Sequence, residues 1–199
     1  MNSSLRDRLN QILPKVTGER FLSSEGIGNE IACHIFDYPA SHELEVRDHI
    51  ESMVGRIATH HKNLRVLHLN LLDVVLDYLK HRNLLDKALE MQVKKGDHEL
   101  RRALKGPLAA EKIRDFIAAE HSLEDYDLVL MSGVGSVWPM LRAHSLLNCL
   151  HTVMGHTPLV MFYPGSFDGT TLRLFDRVNS SGGKPGGKSY YRAFTLIDQ

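Results

Sequence analysis

The stretch "YDLVLMSGVGSVWP", residues 126–139, decides the fold. Its uninterrupted apolar run, Leu128 to Met131, has the length and composition of a strand covered on both faces, the pattern of a parallel sheet. Gly133 and Gly135 then make a tight turn. The following segment, "WPMLRAHSLLNCLHTVM", places Ala143, Leu146, Leu147, Leu150, Val153 and Met154 on one helical face, with Pro139 suited to the first helical turn. A further apolar strand, "TPLVMFYPG", comes next. Strand, turn, helix and strand at this spacing form a βαβ unit.

The same alternation extends upstream. Leu5, Leu9, Ile12 and Leu13 share a helical face after the Ser3/Ser4 cap, and Pro14 is expected to end that helix. "IACHIFDYP" reads as a strand stopped by Pro39. Ser41 opens a helix with Val46, Ile50, Met53, Val54 and Ile57 inward, and "LRVLHLN" is a second strand. Residues 71–120 are helical almost throughout, with Gly106 and Pro107 as a break. The expected fold is therefore α/β: a three-layer sandwich on a mostly parallel sheet of about five strands, with a helical insertion (about 71–120) between strands two and three. All 199 residues are expected to form one domain.

Composition excludes several function classes. Twenty-four cationic and 24 anionic side chains cancel, so attraction to a polyanion requires a local patch. The two cysteines, Cys33 in a strand and Cys149 in a helix, suit reduced thiols in a cytoplasmic protein. No apolar run reaches the roughly 20 residues that span a bilayer, so no membrane association is expected. Twelve histidines lack zinc spacing: there is no H-x-x-x-H, and no cysteine pair joins them, so no metal or other cofactor is expected. No G-x-S-x-G or other catalytic motif is present, and no catalytic residue is assigned.

Residues 182–189, "GGKPGGKS", match the phosphate-loop pattern G-x-x-x-x-G-K-[ST]. The chemistry of that pattern requires a buried strand before it and a helix after it. Here polar residues precede it and the strand-like "YYRAFTLI" follows, so residues 178–189 read as a flexible connection. The glycine turn at 132–139 has the better setting, since ligands of open parallel sheets bind at the strand carboxyl ends. Gly133, Gly135, Ser136 and Trp138 are the candidates there. Arg142, expected one turn into the helix, and Tyr163 and Asp168, in the segment "FYPGSFDG" that ends the next strand, are expected to border the same crevice. Trp138 as a core plug and Asp168-Gly169 as a turn pair are the plainer roles. Basic residues cluster at Lys94, Lys95, Arg101, Arg102 and Lys105, and again at Arg173, Arg177, Lys184, Lys188 and Arg192. Either cluster suits phosphate contact or a solvated surface.

Four segments carry a family resemblance: "FLSSEGIGNEIACHIFDYP", "LLDKALEMQVKKGDHELRRALKGPLAAEKI", "DLVLMSGVGSVWPMLRAHSLLNCLH" and "TPLVMFYPGSFDGTTLRLFDR". Together with the final "YYRAFTLI", they resemble the BrxB family of BREX (bacteriophage exclusion) systems over nearly the whole chain. G-V-G-S-V-W-P and F-Y-P-G-x-x-D-G are the most specific pieces. The glycine-lysine loop is longer than the family pattern leads one to expect. The resemblance implies a component of phage defence working beside a methyltransferase, a large ATPase and the phosphatase-like PglZ protein, and it brings no established catalytic residues. It points to an adaptor that binds other BREX proteins, PglZ first. A nucleotide- or anion-binding domain and a DNA-binding accessory are the other readings, and a homodimer is compatible with all three.

Overall fold

A computed structural model of the chain describes residues 4–23, 33–176 and 193–198. The glycine-lysine segment 178–189 and the basic residues Arg177, Lys184, Lys188 and Arg192 lie outside the described residues. Helix α1 (Leu5–Val16) is capped by Ser4, whose hydroxyl accepts the Asp7 N–H at 3.2 Å. It does not end at Pro14 as expected. Pro14 lacks an N–H and stands in the last turn, and Thr17 closes the helix by donating its N–H to Leu13 O at 3.1 Å. A short helix, α2 (Glu19–Leu22), follows.

Strand β1 (Cys33–Tyr38) leads through a 3₁₀ turn (Ala40–His42) into α3 (Glu43–His60), which buries Val46, Ile50, Met53 and Ile57. Strand β2 (Val66–Asn70) runs directly into α4 (Leu71–His81). Helices α5 (Leu85–Leu104) and α6 (Ala110–Glu120) complete the expected insertion before β3 (Leu128–Ser132). Then come α7 (Val134–Val137), α8 (Ala143–Leu150), β4 (Leu159–Phe167), β5 (Leu172–Leu174) and β6 (Ala193–Thr195).

Among the described residues one sheet of six strands results, in the order β2-β3-β4-β1-β6, with β5 paired to β4. Every pairing on the main path is parallel. Only β4 with β5 is antiparallel, because the short Asp168 turn joins those two strands as a hairpin. Side-chain alternation divides the core between the faces. Phe36, Leu128, Leu130, Val160 and Phe162 meet α1 and α3, while Ile35, Val129, Met131, Leu159 and Met161 meet α4, α6 and α8. Both faces of the central strands are thereby covered, which accounts for their continuous apolar runs.

The expected helix after the glycine turn is broken in two. Pro139 cannot donate to a helical bond, so α7 stops at Val137 and the next helix waits until Ala143. Pro139 therefore lies between helices rather than in a first turn, with a cis peptide after Trp138. Arg142 is the residue preceding α8, not one turn inside it. That helix also ends early, at Leu150, although Met154 beyond it is still buried.

Candidate functional site

The turn at the carboxyl end of β3 is fixed by its neighbour. Gly133 has φ +72°, the left-handed region that glycine tolerates, and a Cβ there would collide with Asn70 Oδ1 and stand 3.1 Å from Asn70 Cγ. Asn70 is held in place because its Oδ1 accepts the Leu72 N–H at 3.0 Å, capping α4. Two strand-to-helix junctions therefore interlock. Gly135 is covered from another direction: a Cβ on it would lie 3.0 Å from Pro164 Cγ and 3.1 Å from Phe175 Cε1. Phe175 follows β5 and is tied back by its N–H, which donates to Pro164 O at 2.9 Å.

Trp138 meets Phe175 edge-to-face, with centroids 6.0 Å apart and rings at 89°, yet remains 42% exposed. At Gly135 the expected crevice is thus roofed by Pro164 and Phe175, and an exposed aromatic surface stands beside the roof. Trp138 is not a core plug. Ser136 and Arg142 are exposed on neighbouring turns, while Tyr163 is 3% exposed and belongs to the core. Asp168 organises the β4–β5 turn. Its Oδ1 accepts the Thr170 and Thr171 N–H groups at 3.0 and 2.7 Å, and Oδ2 accepts from Arg173 Nη2 at 2.8 Å. Hydrogen bonds from Thr170 and Thr171 favour the charged form and lower the pKa of this carboxyl.

Sequence spacing gave no sign of the pair His68 and Ser132, on adjacent strands, whose Nε2 and Oγ lie 2.8 Å apart. Burial lowers the His68 pKa, which favours the neutral ring. Among the described residues no hydrogen bond orients its other nitrogen, so the pair has the first element of a nucleophilic triad without the third. A cleft of about 1040 Å³ opens at the opposite, amino end of the sheet, where His60, His61 and Lys62 face Glu124, Asp127 and His156. Its polar groups are partly committed: Asp127 accepts the Arg65 N–H at 2.7 Å, and the Thr157 hydroxyl donates to Tyr126 O at 3.0 Å. Loops remote in sequence build this cleft, so no local motif announces it.

The insertion supplies a third surface. Helix α5 is interrupted at Gly96, where φ +77° and ψ 176° turn the chain between two helical halves. Residues 92–98 are all exposed, and Leu89 and Val93 are 52% and 88% exposed. Lys94, Lys95, Arg101, Arg102 and Lys105 are exposed on this arm as well. Among the described residues no three or more His, Cys, Asp or Glu side chains form a group able to hold a metal. No helix among them is long and apolar enough to cross a membrane.

The model of a family described as "BREX protein BrxB" matches residues 67–196, from β2 through β6, and includes both the glycine turn and the Asp168 turn. The chain belongs to the BrxB family. A BREX protein BrxB of Escherichia coli O9:H4 (strain HS) is 40% identical over 193 residues, 97% of this chain and 92% of the relative. Another, from Bacillus cereus (strain H3081.97), is 36% identical over 197 residues, covering 98% of each chain. No solved structure matches the chain. Membership makes it a BrxB component of BREX phage defence.

Proposed function

We propose that this chain is a non-catalytic adaptor of BREX phage defence and binds other BREX proteins through the surface around Trp138, with PglZ the first candidate. The observation that carries this reading is the exposed tryptophan held edge-on by Phe175 above a covered glycine turn. A rigidly supported, amphipathic ring of this kind is the side chain most often found at the centre of protein interfaces. Partner binding at such a site gains apolar burial at little conformational cost, because the ring is already positioned. Ser136 and Arg142 supply polar groups on neighbouring turns, where a polar rim would form.

Co-purification of the tagged chain with each BREX component tests the proposal. Retention of PglZ by the wild-type chain and its loss on Trp138→Ala, with an unchanged melting temperature, is the expected result. Retention of none of the components by the wild-type chain, or equal retention by Trp138→Ala, overturns it.

A further inference from the structure

The insertion carries a charge pattern that the adaptor reading leaves unused. In the second half of α5, His98, Arg101 and Arg102, continued by the helix-capping Lys105 in helical conformation, follow the spacing i, i+3, i+4, i+7, which puts four side chains on one helical face. All four are exposed. The opposite side of this half-helix is anchored by Leu104, which is 6% exposed, and by Leu100, which packs against the core. Lys94 and Lys95 stand just before the Gly96 turn. Residues 94–105 therefore hold five lysines and arginines against two carboxylates, Asp97 and Glu99, in a chain whose total charge is zero.

We propose that this face docks the phosphate backbone of a nucleic-acid duplex. From His98 to Lys105 the helix advances about 10 Å, and that length of B-form duplex presents roughly six backbone charges. Between His98 and Lys105 the face offers no exposed large apolar side chain, since the exposed Leu89 and Val93 stand before the Gly96 turn, so it lacks the dry centre of a protein interface. Residues 94–105 include no Phe, Tyr or Trp on which unpaired bases could stack, which favours a duplex over a single strand. Existing ion pairs do not block the role. Arg102 and His98 meet the Glu99 carboxylate at 2.7 and 3.3 Å and Lys94 meets Glu90 at 3.1 Å, but all the partners except Glu99 are about 70% exposed or more. Exposed pairs of this sort hold together by about 1 kcal/mol or less and yield to phosphate. Contacts to backbone alone carry no sequence preference, so the binding is independent of base sequence.

The test uses the full chain and short labelled DNA and RNA duplexes, with polyglutamate as an acidic polypeptide, titrated over a series of salt concentrations. Duplex binding at low salt is expected, with log K falling against log salt at a slope of about −3 if Arg101, Arg102 and Lys105 each neutralise one phosphate. Arg101→Glu with Lys105→Glu is expected to weaken duplex binding at least tenfold, to flatten that slope, and to leave the melting temperature and partner retention unchanged. Loss of partner retention in Trp138→Ala with duplex binding intact keeps this site separate from the adaptor surface. Three outcomes overturn the proposal: no duplex binding at low salt, duplex binding indifferent to the double variant, or an effect of the double variant on polyglutamate alone.

Discussion

Arg8 and Asp37 form a buried ion pair, Nη2 to Oδ1 at 2.7 Å, with side chains only 6% and 3% exposed. The pair joins α1 to the interior strand β1. Asp37 also accepts the Phe167 N–H at 3.0 Å, and the Arg8 guanidinium donates to Ile197 O at 3.3 Å and lies 4.8 Å over the Phe36 ring. The carboxyl ends of β1 and β4 and the terminal segment are thus held by one charge pair. In an open parallel sheet that region is where ligand crevices form, and here protein groups occupy it.

Removing one member leaves the other charged and buried. Arg8→Ala is expected to destabilise the protein by about 3–5 kcal/mol. Combining Arg8→Met with Asp37→Asn is expected to recover much of that loss, since the amide oxygen still accepts the Phe167 N–H without a charge. Urea unfolding of the three proteins checks this, and equal stability of single and double variants would contradict it.

Two of the positive-φ glycines, Gly133 and Gly96, predict different costs for one substitution. Gly133→Ala places a methyl against Asn70, in addition to the strain of positive φ, and is expected to cost 3 kcal/mol or more, on the order of a severe backbone substitution. Gly96→Ala meets open space and carries only the conformational strain of φ +77° with ψ 176°, about 1–3 kcal/mol. Chemical denaturation ranks the two directly.

Acid should weaken the fold through His34. Burial, aided by Lys15, brings its pKa from 6.5 down to about 4, and neither ring nitrogen has a hydrogen-bond partner among the described residues. As pH falls below 6.5 the unfolded chain takes up this proton first, so stability declines until the folded form also binds it near pH 4. A contribution on the order of 3 kcal/mol is expected over that window. His34→Phe, whose ring fits between Phe21 and Phe194, should remove this part of the slope in pH-dependent unfolding.

Trp138 is the chain's one tryptophan, and its partial exposure makes it a reporter. Partner binding at the proposed surface should shift its emission to shorter wavelength and protect it from soluble quenchers. Emission that stays unchanged in a complex shown by co-sedimentation would place the interface elsewhere. Phe175→Ala should loosen the ring and weaken partner retention less than Trp138→Ala does.

Periodicity along the chain was sufficient for the α/β class, the strand positions and the helical insertion, because each depends on a local apolar repeat matched to one element. The same local reading expected Pro14 to end α1 and a continuous helix across Pro139. Real helices tolerate a proline in the last turn but not where its missing donor is needed to carry the helix onward. Family membership was also legible, since motifs such as G-V-G-S-V-W-P are contiguous in sequence.

What the tertiary structure alone decided is which of those residues meet. Asn70 against Gly133, Phe175 over Gly135, His68 beside Ser132, and Arg8 against Asp37 are separated by long stretches of chain and brought together by strand order. Sequence determined the elements because their signals are short-ranged. The covered crevice, the exposed Trp138 and the amino-end cleft arise from contacts between elements, and no local pattern encodes those.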